Sequence, residues 1–181
     1  MNRAVFLDRD GVLNQPIIRN RKPYPPSSVA ETIIVPEAST ALIRLKQHGF
    51  LLIVVTNQPD VGRGTCTRED VEAINTFLSA MLPLDDFFVC YHDDEAGCEC
   101  RKPRPGLLIE AAAKHNISLE TSYLVGDRWR DIDAGATAGC KTILIDYSYN
   151  EQSSTFPPDV NVFSLSKAVD WILEQEGISA E

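Results

Sequence analysis

The sequence predicts an α/β fold in which helices cover both faces of a mainly parallel sheet. Short apolar runs alternate along the chain with segments that have helical periodicity, and this alternation is typical of βαβ units. Several of the apolar runs end in polar residues that include carboxylates, amides and hydroxyls. In open parallel sheets, ligands bind beyond the carboxyl ends of the strands. The polar groups that follow the runs are therefore the first place to look for function.

The length and composition are those of one globular domain. The chain has 181 residues, which is enough for a full α/β core, and we treat residues 1–181 as a single domain and as a monomer. Its hydrophobic fraction of 44% and charged fraction of 24% are ordinary. The net charge of −9 argues against a general binder of nucleic acid or of anionic membranes, although a local basic pocket for a phosphorylated small molecule remains compatible with it.

The chain shows no membrane-spanning or targeting signal. No apolar run approaches the roughly 18 residues of a membrane span. The residues before the first apolar run do not form a signal peptide. We therefore expect a cytoplasmic protein, in which the five cysteines are thiols or metal ligands rather than disulfides.

The expected strands and helices alternate in order. Apolar runs predict strands at residues 4–7, 50–55, 86–90, 123–125 and 142–145. Helical periodicity predicts helices at residues 36–49, 67–82, 107–116, 132–138 and 165–176. Pro36 suits a first helical turn, Thr67 followed by Asp70 suits an N-cap, and Gly49 and Gly139 suit helix ends. The remaining segments, 15–33, 59–64, 90–106 and 147–159, are expected to be loops.

The long segment 15–33 has two interpretations. It contains four prolines, and Arg19, Arg21 and Lys22 lie near its middle. A loop of this length inside a compact domain is usually functional or disordered. Its basic residues could reach over a site at the end of the first strand, or the loop could simply be a solvated surface.

Two carboxylates follow the first expected strand at the spacing that places them on one side. Residues i and i+2 of extended chain point the same way, so Asp8 and Asp10 would face one site. Two close carboxylates repel unless a cation is near or one is protonated. The sequence Asp-Arg-Asp-Gly could also be no more than a polar turn, so only residues elsewhere in the chain can distinguish a functional site from a turn.

Four polar clusters at strand ends could form one site for phosphoryl transfer. They are Asp8 with Asp10, Thr56 with Asn57, Lys102, and Asp127 with Asp131. Two of the carboxylates, Asp8 and Asp127, could hold Mg²⁺, which prefers oxygen ligands. Lys102 and the Thr56 hydroxyl could stabilise charge on a phosphoryl group. Asp8 could attack phosphorus, and Asp10 could then act as general acid and base.

This combination resembles the haloacid dehalogenase (HAD) superfamily of phosphatases. The motifs that carry the resemblance, from the first to the fourth, are Asp8-Arg9-Asp10-Gly11-Val12-Leu13-Asn14, Val55-Thr56-Asn57, Lys102 and Gly126-Asp127-Arg128-Trp129-Arg130-Asp131. The resemblance implies a Rossmann-like three-layer α/β/α fold with Asp8 as nucleophile, Asp10 as acid and base, and Mg²⁺ as cofactor. It also implies that Asp10 binds the metal through its backbone carbonyl, and that Asp131 supports the site rather than binding the metal directly.

A second cluster lies within residues 90–100. Cys90, His92, Cys98 and Cys100 provide three thiols and one imidazole, which is a complete tetrahedral set for a structural Zn²⁺. The spacing differs from that of common zinc fingers, so ordinary thiols beside an unrelated histidine remain the alternative. Because Lys102 follows Cys100 closely, zinc would act by holding the loop that carries this lysine.

The cysteine segment followed by Arg-Lys-Pro resembles one branch of the superfamily, the heptose-bisphosphate and histidinol phosphatases. Relatives of this branch lack a large cap domain, and the positions that bind their substrates match Thr56, Asn57, Gln58, Arg101-Lys102 and Arg128. The resemblance favours D-glycero-D-manno-heptose 1,7-bisphosphate, with the 7-phosphate removed. Arg101 and Arg128 are the first candidates for holding the second phosphate. Arg63 and the basic residues of the loop Arg19–Lys22 are weaker candidates, for which surface charge is the alternative interpretation.

Three alternatives remain at this stage. Histidinol phosphate or another small phosphomonoester could be the substrate, because the sequence departs from better-known members at Pro59-Asp60-Val61-Gly62 and in the loop 15–33. A zinc-stabilised binding module without activity would be expected to lack one of the four key residues, yet Asp8, Asp10, Lys102 and Asp127 are all present. A receiver-like domain that is only phosphorylated would have no need of Asp10.

Overall fold

The computed structural model describes residues 1–178, so the last three residues of the expected domain lie outside the described part. The strands are β1 (Arg3–Leu7), β2 (Ile17–Arg19), β3 (Lys22–Tyr24), β4 (Phe50–Asn57), β5 (Asp86–Cys90), β6 (Tyr123–Gly126), β7 (Lys141–Ile145) and β8 (Val160–Val162). The α-helices are α1 (Ala38–Gln47), α2 (Pro59–Gly62), α3 (Arg68–Met81), α4 (Gly106–His115), α5 (Trp129–Ala138) and α6 (Leu165–Gln175). Single 3₁₀ turns occur at Val29–Glu31 and Leu119–Thr121.

Six strands form one parallel sheet in the order β5-β4-β1-β6-β7-β8, which confirms the predicted fold class. Side chains alternate between the faces of a strand. Val5 and Leu7 accordingly enter a core with α1, α3 and α6, whereas Ala4 and Phe6 enter a second core with α4 and α5. Burial on both faces explains why β1 is an uninterrupted apolar run.

The sheet places four chain segments at one edge. β1 lies between β4 and β6, and β5 flanks β4, so the carboxyl ends of these strands are adjacent. After β1 the chain forms β4 and β5 on one side of it, and later forms β6, β7 and β8 on the other side. The strand order therefore reverses next to β1, and ligands in such folds bind at the carboxyl end of the sheet at this switch point. Asp8 follows β1 directly, and Asp127 follows β6.

Segment 15–33 is not wholly irregular, so that part of the prediction is wrong. It contains the antiparallel hairpin β2–β3, whose two turn residues, Asn20 and Arg21, have φ values of +51° and +58°. This is the conformation of a tight hairpin turn, but the usual Asn-Gly signal is absent because arginine takes the second position. Pro23 within β3 also argues against a strand in the sequence, since proline in a sheet is confined to edge strands. It is tolerated here because both strands of a two-stranded sheet are edge strands.

Other differences are smaller. The expected loop at 59–64 contains the one-turn helix α2, in which Pro59 takes the first helical position. Helix α5 begins at Trp129 rather than at residue 132, because the Asp131 carboxylate accepts a hydrogen bond from the Arg128 backbone N–H and caps the first turn. The short edge strand β8 was missed, since three residues carry too little periodicity. Among the described residues, no helix is both long and apolar enough to cross a membrane.

Candidate active site

Four charged side chains are buried together where β1 and β6 end. We call Asp8, Lys102, Asp127 and Asp131 the carboxylate centre, and none of them is more than 8% exposed. The Lys102 ammonium donates to Asp8 Oδ1 at 2.8 Å, to Asp131 Oδ1, and to the backbone carbonyl of Val55 at 2.7 Å. A buried lysine with two carboxylate partners and a carbonyl has all three N–H donors satisfied.

The carboxylates outnumber the cation, and their pKa values reflect this. Burial raises the pKa of Asp8 to about 6 against the attraction of Lys102, and the negative charge of Asp131 adds to the rise. Burial also raises the pKa of Asp127 well above its usual value, with the charge of Asp8 as the next cause. Although burial alone would lower it, the charges of Asp131 and Asp8 raise the pKa of Lys102. The lysine therefore stays charged, and the centre favours a further positive charge.

The arrangement fits a divalent cation. Oxygen atoms of Asp8, Asp127 and Asp131 lie within 4.8 Å of one another. Asp127 Oδ2 accepts a hydrogen bond from the Tyr149 hydroxyl at 2.8 Å, whereas Asp127 Oδ1 is buried and has no partner among the described residues. A buried carboxylate oxygen without a donor is costly unless something binds it. Oxygen ligands of this kind suit Mg²⁺.

Gly11 and Gly126 leave room for these carboxylates. A Cβ at Gly11 would lie 2.0 Å from Asp127 Oδ2, and Gly11 also has a φ of +92° that favours glycine. A Cβ at Gly126 would lie 2.1 Å from the Cβ of Asp131. Larger residues at either position would displace a carboxylate of the centre.

Asp10 is held by four hydrogen bonds at the edge of the centre. Arg9, which is fully buried, donates from Nε and Nη2 to its two carboxylate oxygens at 3.2 and 3.1 Å. Asn14 and Gln58 donate to the same carboxylate at 3.0 and 2.8 Å. Because Arg9 is also fixed by Asn75, the position of Asp10 is determined by the core of the protein.

Residues 56–58, at the end of β4, form hydrogen bonds that support Asp10 and the carboxylate centre. Thr56 is buried and accepts a hydrogen bond from the Gln58 side-chain amide at 3.0 Å. The Asn57 amide pairs with the backbone of Lys102 in both directions, at 3.0 and 3.1 Å. Asn57 lines the pocket, whereas Gln58 lies beneath Asp10 and is 3% exposed. These contacts connect the end of β4 to Asp10 and to Lys102.

A pocket opens above the carboxylate centre. Its walls come from the hairpin, the loops after β4 and β5, and the start of α5; the lining residues are Asp8, Asp10, Pro23, Tyr24, Pro25, Asn57, Pro59, Asp60, Arg63, Arg101, Lys102, Asp127, Arg128, Arg130 and Asp131. Segment 15–33 therefore reaches the site, but with Pro23, Tyr24 and Pro25 rather than with its basic residues. Of the two interpretations of this segment, the structure does not support the one in which the basic side chains reach over the site, because none of them lines the pocket.

The four predicted zinc ligands lie together in the loop after β5. We call Cys90, His92, Cys98 and Cys100 the thiol cluster. Its sulfur atoms are 3.1 to 3.7 Å apart, and His92 Nδ1 lies 3.6 and 3.3 Å from two of them. Tetrahedral zinc with bonds of about 2.3 Å needs sulfur atoms about 3.8 Å apart, so the four atoms are nearly at ligand spacing.

The thiol cluster has the chemistry of a metal site. All five cysteines are free, and Cys66 and Cys140 lie outside the cluster. Burial alone would raise the pKa of Cys98, but hydrogen bonds from Cys100 and the Arg101 backbone lower it to about 7. A thiolate is the form of cysteine that binds a metal. The cluster could therefore hold zinc directly before Arg101 and Lys102 in the chain.

Sequence reasoning missed several residues that contact the site. Arg9 lies between Asp8 and Asp10, so the alternation of side chains in extended chain predicts that it faces the other way, yet its guanidinium group donates to the Asp10 carboxylate. Tyr149 comes from a polar loop, and its ring stacks on that of Tyr147 with centroids 5.5 Å apart. Arg130 also lines the pocket, although in the sequence it stands out only as one residue of the fourth motif. No local pattern in the sequence would have identified the tyrosines.

Comparisons with known proteins agree with this geometry. A family model described as HAD-hydrolase-like matches residues 99–166. A D-glycero-beta-D-manno-heptose-1,7-bisphosphate 7-phosphatase of Helicobacter pylori is 30% identical to this chain, and the alignment covers 94% of this chain and 97% of that protein. A protein of the same name from Bordetella bronchiseptica is 34% identical over 79% of this chain and 80% of its own length.

The solved structures give the same picture. The crystal structure of a D,D-heptose 1,7-bisphosphate phosphatase from B. bronchiseptica, complexed with magnesium and phosphate, superimposes with a TM-score of 0.77. The two chains are 28% identical, and the superposition covers 96% of this chain and 99% of that one. A HAD-like phosphatase from Mesorhizobium loti gives a TM-score of 0.76 with 27% identity, over 96% of this chain and 87% of that one.

Proposed function

The chain belongs to the HAD phosphatases and is a phosphoric monoester hydrolase, and from this premise we propose that it removes the 7-phosphate of D-glycero-D-manno-heptose 1,7-bisphosphate. The observation that carries the proposal is the buried contact of Asp8 with Lys102, 2.8 Å long, at the base of a pocket lined by arginines. The named relatives of similar length support the choice of sugar. A cytoplasmic location, where thiols remain reduced, would suit the thiol cluster.

In this proposal, Asp8 is the nucleophile. One carboxylate oxygen attacks phosphorus, the bond between phosphorus and the sugar oxygen breaks, and an aspartyl-phosphate forms. The charge of Lys102 orients Asp8 and stabilises the negative oxygens of the phosphoryl group. Because Lys102 also bonds Asp131 and a backbone carbonyl, it approaches Asp8 from a fixed direction.

Asp10 would carry the proton in both halves of the reaction. In the first half it donates its proton to the departing sugar oxygen, and in the second it takes a proton from the water that attacks phosphorus and releases Asp8. Arg9, Asn14 and Gln58 hold the Asp10 carboxylate at the rim of the pocket. The Thr56 hydroxyl, which accepts from Gln58, is the fourth catalytic candidate.

HAD phosphatases use Mg²⁺, which neutralises negative charge on the phosphoryl group. Asp8 and Asp127 would hold the ion with their carboxylates and Asp10 with its backbone carbonyl. The Oδ1 atom of Asp127, which is buried without a hydrogen-bond partner among the described residues, supports this assignment. Asp131 bonds both Lys102 and the Arg128 backbone, which favours a supporting role over direct ligation. Zinc in the thiol cluster would hold the loop that carries Arg101 and Lys102.

The remaining predicted substrate residues surround the pocket or support it. Asn57, Arg101 and Arg128 line the pocket and could contact the sugar phosphate. Gln58 would act on substrate only through Asp10, because it is buried beneath that residue. We expect the enzyme to work as a monomer, since every proposed catalytic group comes from one chain.

The test is a comparison of kcat/KM for heptose 1,7-bisphosphate and histidinol phosphate with Mg²⁺ present, with phosphorus NMR to identify the phosphate released. We expect a large preference for the heptose and release of the 7-phosphate. A preference for histidinol phosphate would overturn the choice of substrate while leaving the reaction type. Release of the 1-phosphate would overturn the orientation of the sugar.

A further inference from the structure

The Arg9 side chain is buried completely beside the active site. It is the largest fully buried side chain of the described residues, and Asp10 is the one carboxylate among them that pairs with it. Arginine is rarely buried without such a partner. The Arg9 Nε and Nη2 atoms donate to the two Asp10 oxygens side by side, and this paired geometry fixes the plane of a carboxylate as well as its distance. Arg9 therefore sets the orientation of the Asp10 carboxylate.

Asp10 receives as many hydrogen bonds as a carboxylate can accept. Arg9 gives one to each oxygen, Asn14 adds one to Oδ1, and Gln58 adds one to Oδ2. Because a carboxylate has about four acceptor positions, one donor must leave before Asp10 can take up a proton. Each amide also donates to a second acceptor, at 3.3 Å for Asn14 and 3.0 Å for Gln58, so either can release Asp10. Arg9 pairs with no other carboxylate of the described residues, and it remains as the permanent anchor.

The far end of the Arg9 guanidinium group is held by helix α3. Its Nη1 atom donates to Asn75 Oδ1 at 3.1 Å. Asn75 lies in the buried stripe of α3, whose other members are Val71, Ile74 and Leu78. The Asn75 Nδ2 atom is buried and has no hydrogen-bond partner among the described residues, which costs free energy. Packing alone would favour an apolar residue at this position, so the contact with Arg9 is what the amide supplies.

We propose that Arg9 is a positioning residue for proton transfer by Asp10, and that Asn75 positions Arg9 in turn. The inference rests on the proposed role of Asp10 as the general acid and base. The residues that line the pocket include neither Arg9 nor Asn75, so both act through Asp10 rather than on the substrate. Arg9 keeps the Asp10 carboxylate aligned with the leaving oxygen in the first half of the reaction and with the attacking water in the second.

Loss of this alignment has a kinetic signature that two aryl phosphates reveal. Phenyl phosphate and p-nitrophenyl phosphate have similar shapes, but only the more basic phenolate depends strongly on a proton from Asp10 when it leaves. Misalignment should therefore slow phosphorylation of the enzyme by phenyl phosphate and spare phosphorylation by p-nitrophenyl phosphate. Hydrolysis of the phosphoenzyme needs Asp10 as base with either substrate. The first turnover of p-nitrophenyl phosphate should consequently stay fast, and the steady state that follows should be slow.

The experiment measures first-turnover and steady-state rates by rapid mixing, with Mg²⁺ present, for Asn75→Leu and Arg9→Lys. Asn75→Leu removes the acceptor of Arg9 at nearly constant volume, and Arg9→Lys keeps the charge but loses the paired donors. For both variants we expect phosphorylation by phenyl phosphate to slow about 10-fold, phosphorylation by p-nitrophenyl phosphate to change less than about 2-fold, and the steady state to slow about 10-fold. Ile74→Val is the matched control, because Ile74 is an equally buried neighbour on α3 without polar side-chain atoms.

The Asp10→Asn variant separates this inference from the proposed role of Asp10. If Asp10→Asn shows the signature while folded Asn75→Leu and Arg9→Lys behave like Ile74→Val, Asp10 keeps its role and the positioning inference is overturned. Equal slowing of both first turnovers in these two variants would show a merely structural role and would also overturn it. If Asp10→Asn itself slows both first turnovers equally, the proposed role of Asp10 is wrong, and the inference falls with it. Should Arg9→Lys fail to fold, Asn75→Leu alone decides.

Discussion

The carboxylate centre and the thiol cluster are built in opposite ways. Asp8 and Asp127 follow buried strands directly, and the sheet fixes their distance. The thiol cluster lies mostly in a loop without regular structure between β5 and α4, and only Cys90 belongs to a strand. The first site is therefore positioned by the protein core. The second lies in a loop that a metal bound by the thiol cluster could hold in place.

Under the proposed function, this difference separates the catalytic groups of the enzyme from the groups that recognise its substrate. Chemistry at phosphorus requires groups that keep their positions, and these come from strand ends. Recognition of a particular sugar requires groups that vary between relatives, and these come from loops. Lys102 belongs to both regions, because its backbone lies in the loop and its ammonium group lies in the carboxylate centre. Variants in each region should therefore affect different quantities.

The largest effect is expected for Asp8→Asn. An amide cannot replace the nucleophilic carboxylate, so kcat should fall by at least about 10³-fold. The fold should be retained, because the amide oxygen can still accept from Lys102. Steady-state kinetics and circular dichroism check the two parts. Turnover close to the wild-type rate would show that the centre does not supply the nucleophile.

Lys102→Met should damage both activity and stability. It leaves Asp8 and Asp131 buried without their cation, which costs about 3 kcal/mol of unfolding free energy, and it removes charge stabilisation worth about 10²-fold in kcat. Urea denaturation and kinetics measure these effects. The control is Lys114→Met, which removes an exposed pair with Asp86 and should change stability by less than about 1 kcal/mol. Equal losses of unfolding free energy in the two variants would contradict the expected difference between a buried and an exposed ion pair.

Cys98→Ser should act on the loop and only indirectly on chemistry. We expect loss of bound zinc, faster hydrogen exchange across residues 91–104, and a fall in kcat/KM between about 10- and 100-fold from misplaced Lys102 and Arg101. Cys66→Ser is the matched control, because Cys66 lies outside the thiol cluster and its loss should leave the zinc content unchanged. A purified wild-type protein without zinc would remove the basis of this prediction.

Tyr149→Phe is expected to have the smallest effect. It removes the hydrogen bond that orients the Asp127 carboxylate, so Mg²⁺ affinity measured by calorimetry should weaken about 10-fold, while kcat at saturating Mg²⁺ is retained. Tyr147→Phe is its control, because the Tyr147 hydroxyl donates to the Gly11 carbonyl and not to a carboxylate. An unchanged affinity in Tyr149→Phe would show that the core alone positions Asp127.

The sequence predicts the strands of the main sheet better than it predicts the hairpin. Apolar runs located β1 and β5 to within one residue. Strand β1 is buried on both faces and leaves an unbroken apolar signal, whereas the partly buried edge strand β5 is marked by the apolar residues 87–90. The hairpin in segment 15–33 was missed, since Arg21 and Pro23 both argue against it. Its turn is joined instead to a distant loop, since Arg21 donates to the Ser148 carbonyl and the Arg21 carbonyl accepts from the Asn150 backbone N–H.

The same limit applies to the site. Asp8, Lys102 and Asp127 could be brought together from sequence, because parallel strands must end at one edge of a sheet. The partners of these residues could not. Tyr149 reaches Asp127 from a loop that has no periodicity.

The most direct test of the covalent role of the carboxylate centre is to trap the phosphoenzyme. Asp10→Asn should slow hydrolysis of the aspartyl-phosphate, and p-nitrophenyl phosphate, whose leaving group needs no proton, should still phosphorylate the enzyme. After acid quenching, peptide mass spectrometry should find one phosphoryl group on the peptide that contains Asp8, and none in the Asp8→Asn variant. A phosphoryl group on another residue, or p-nitrophenol release without any phosphoenzyme, would contradict the assignment of Asp8 as the nucleophile.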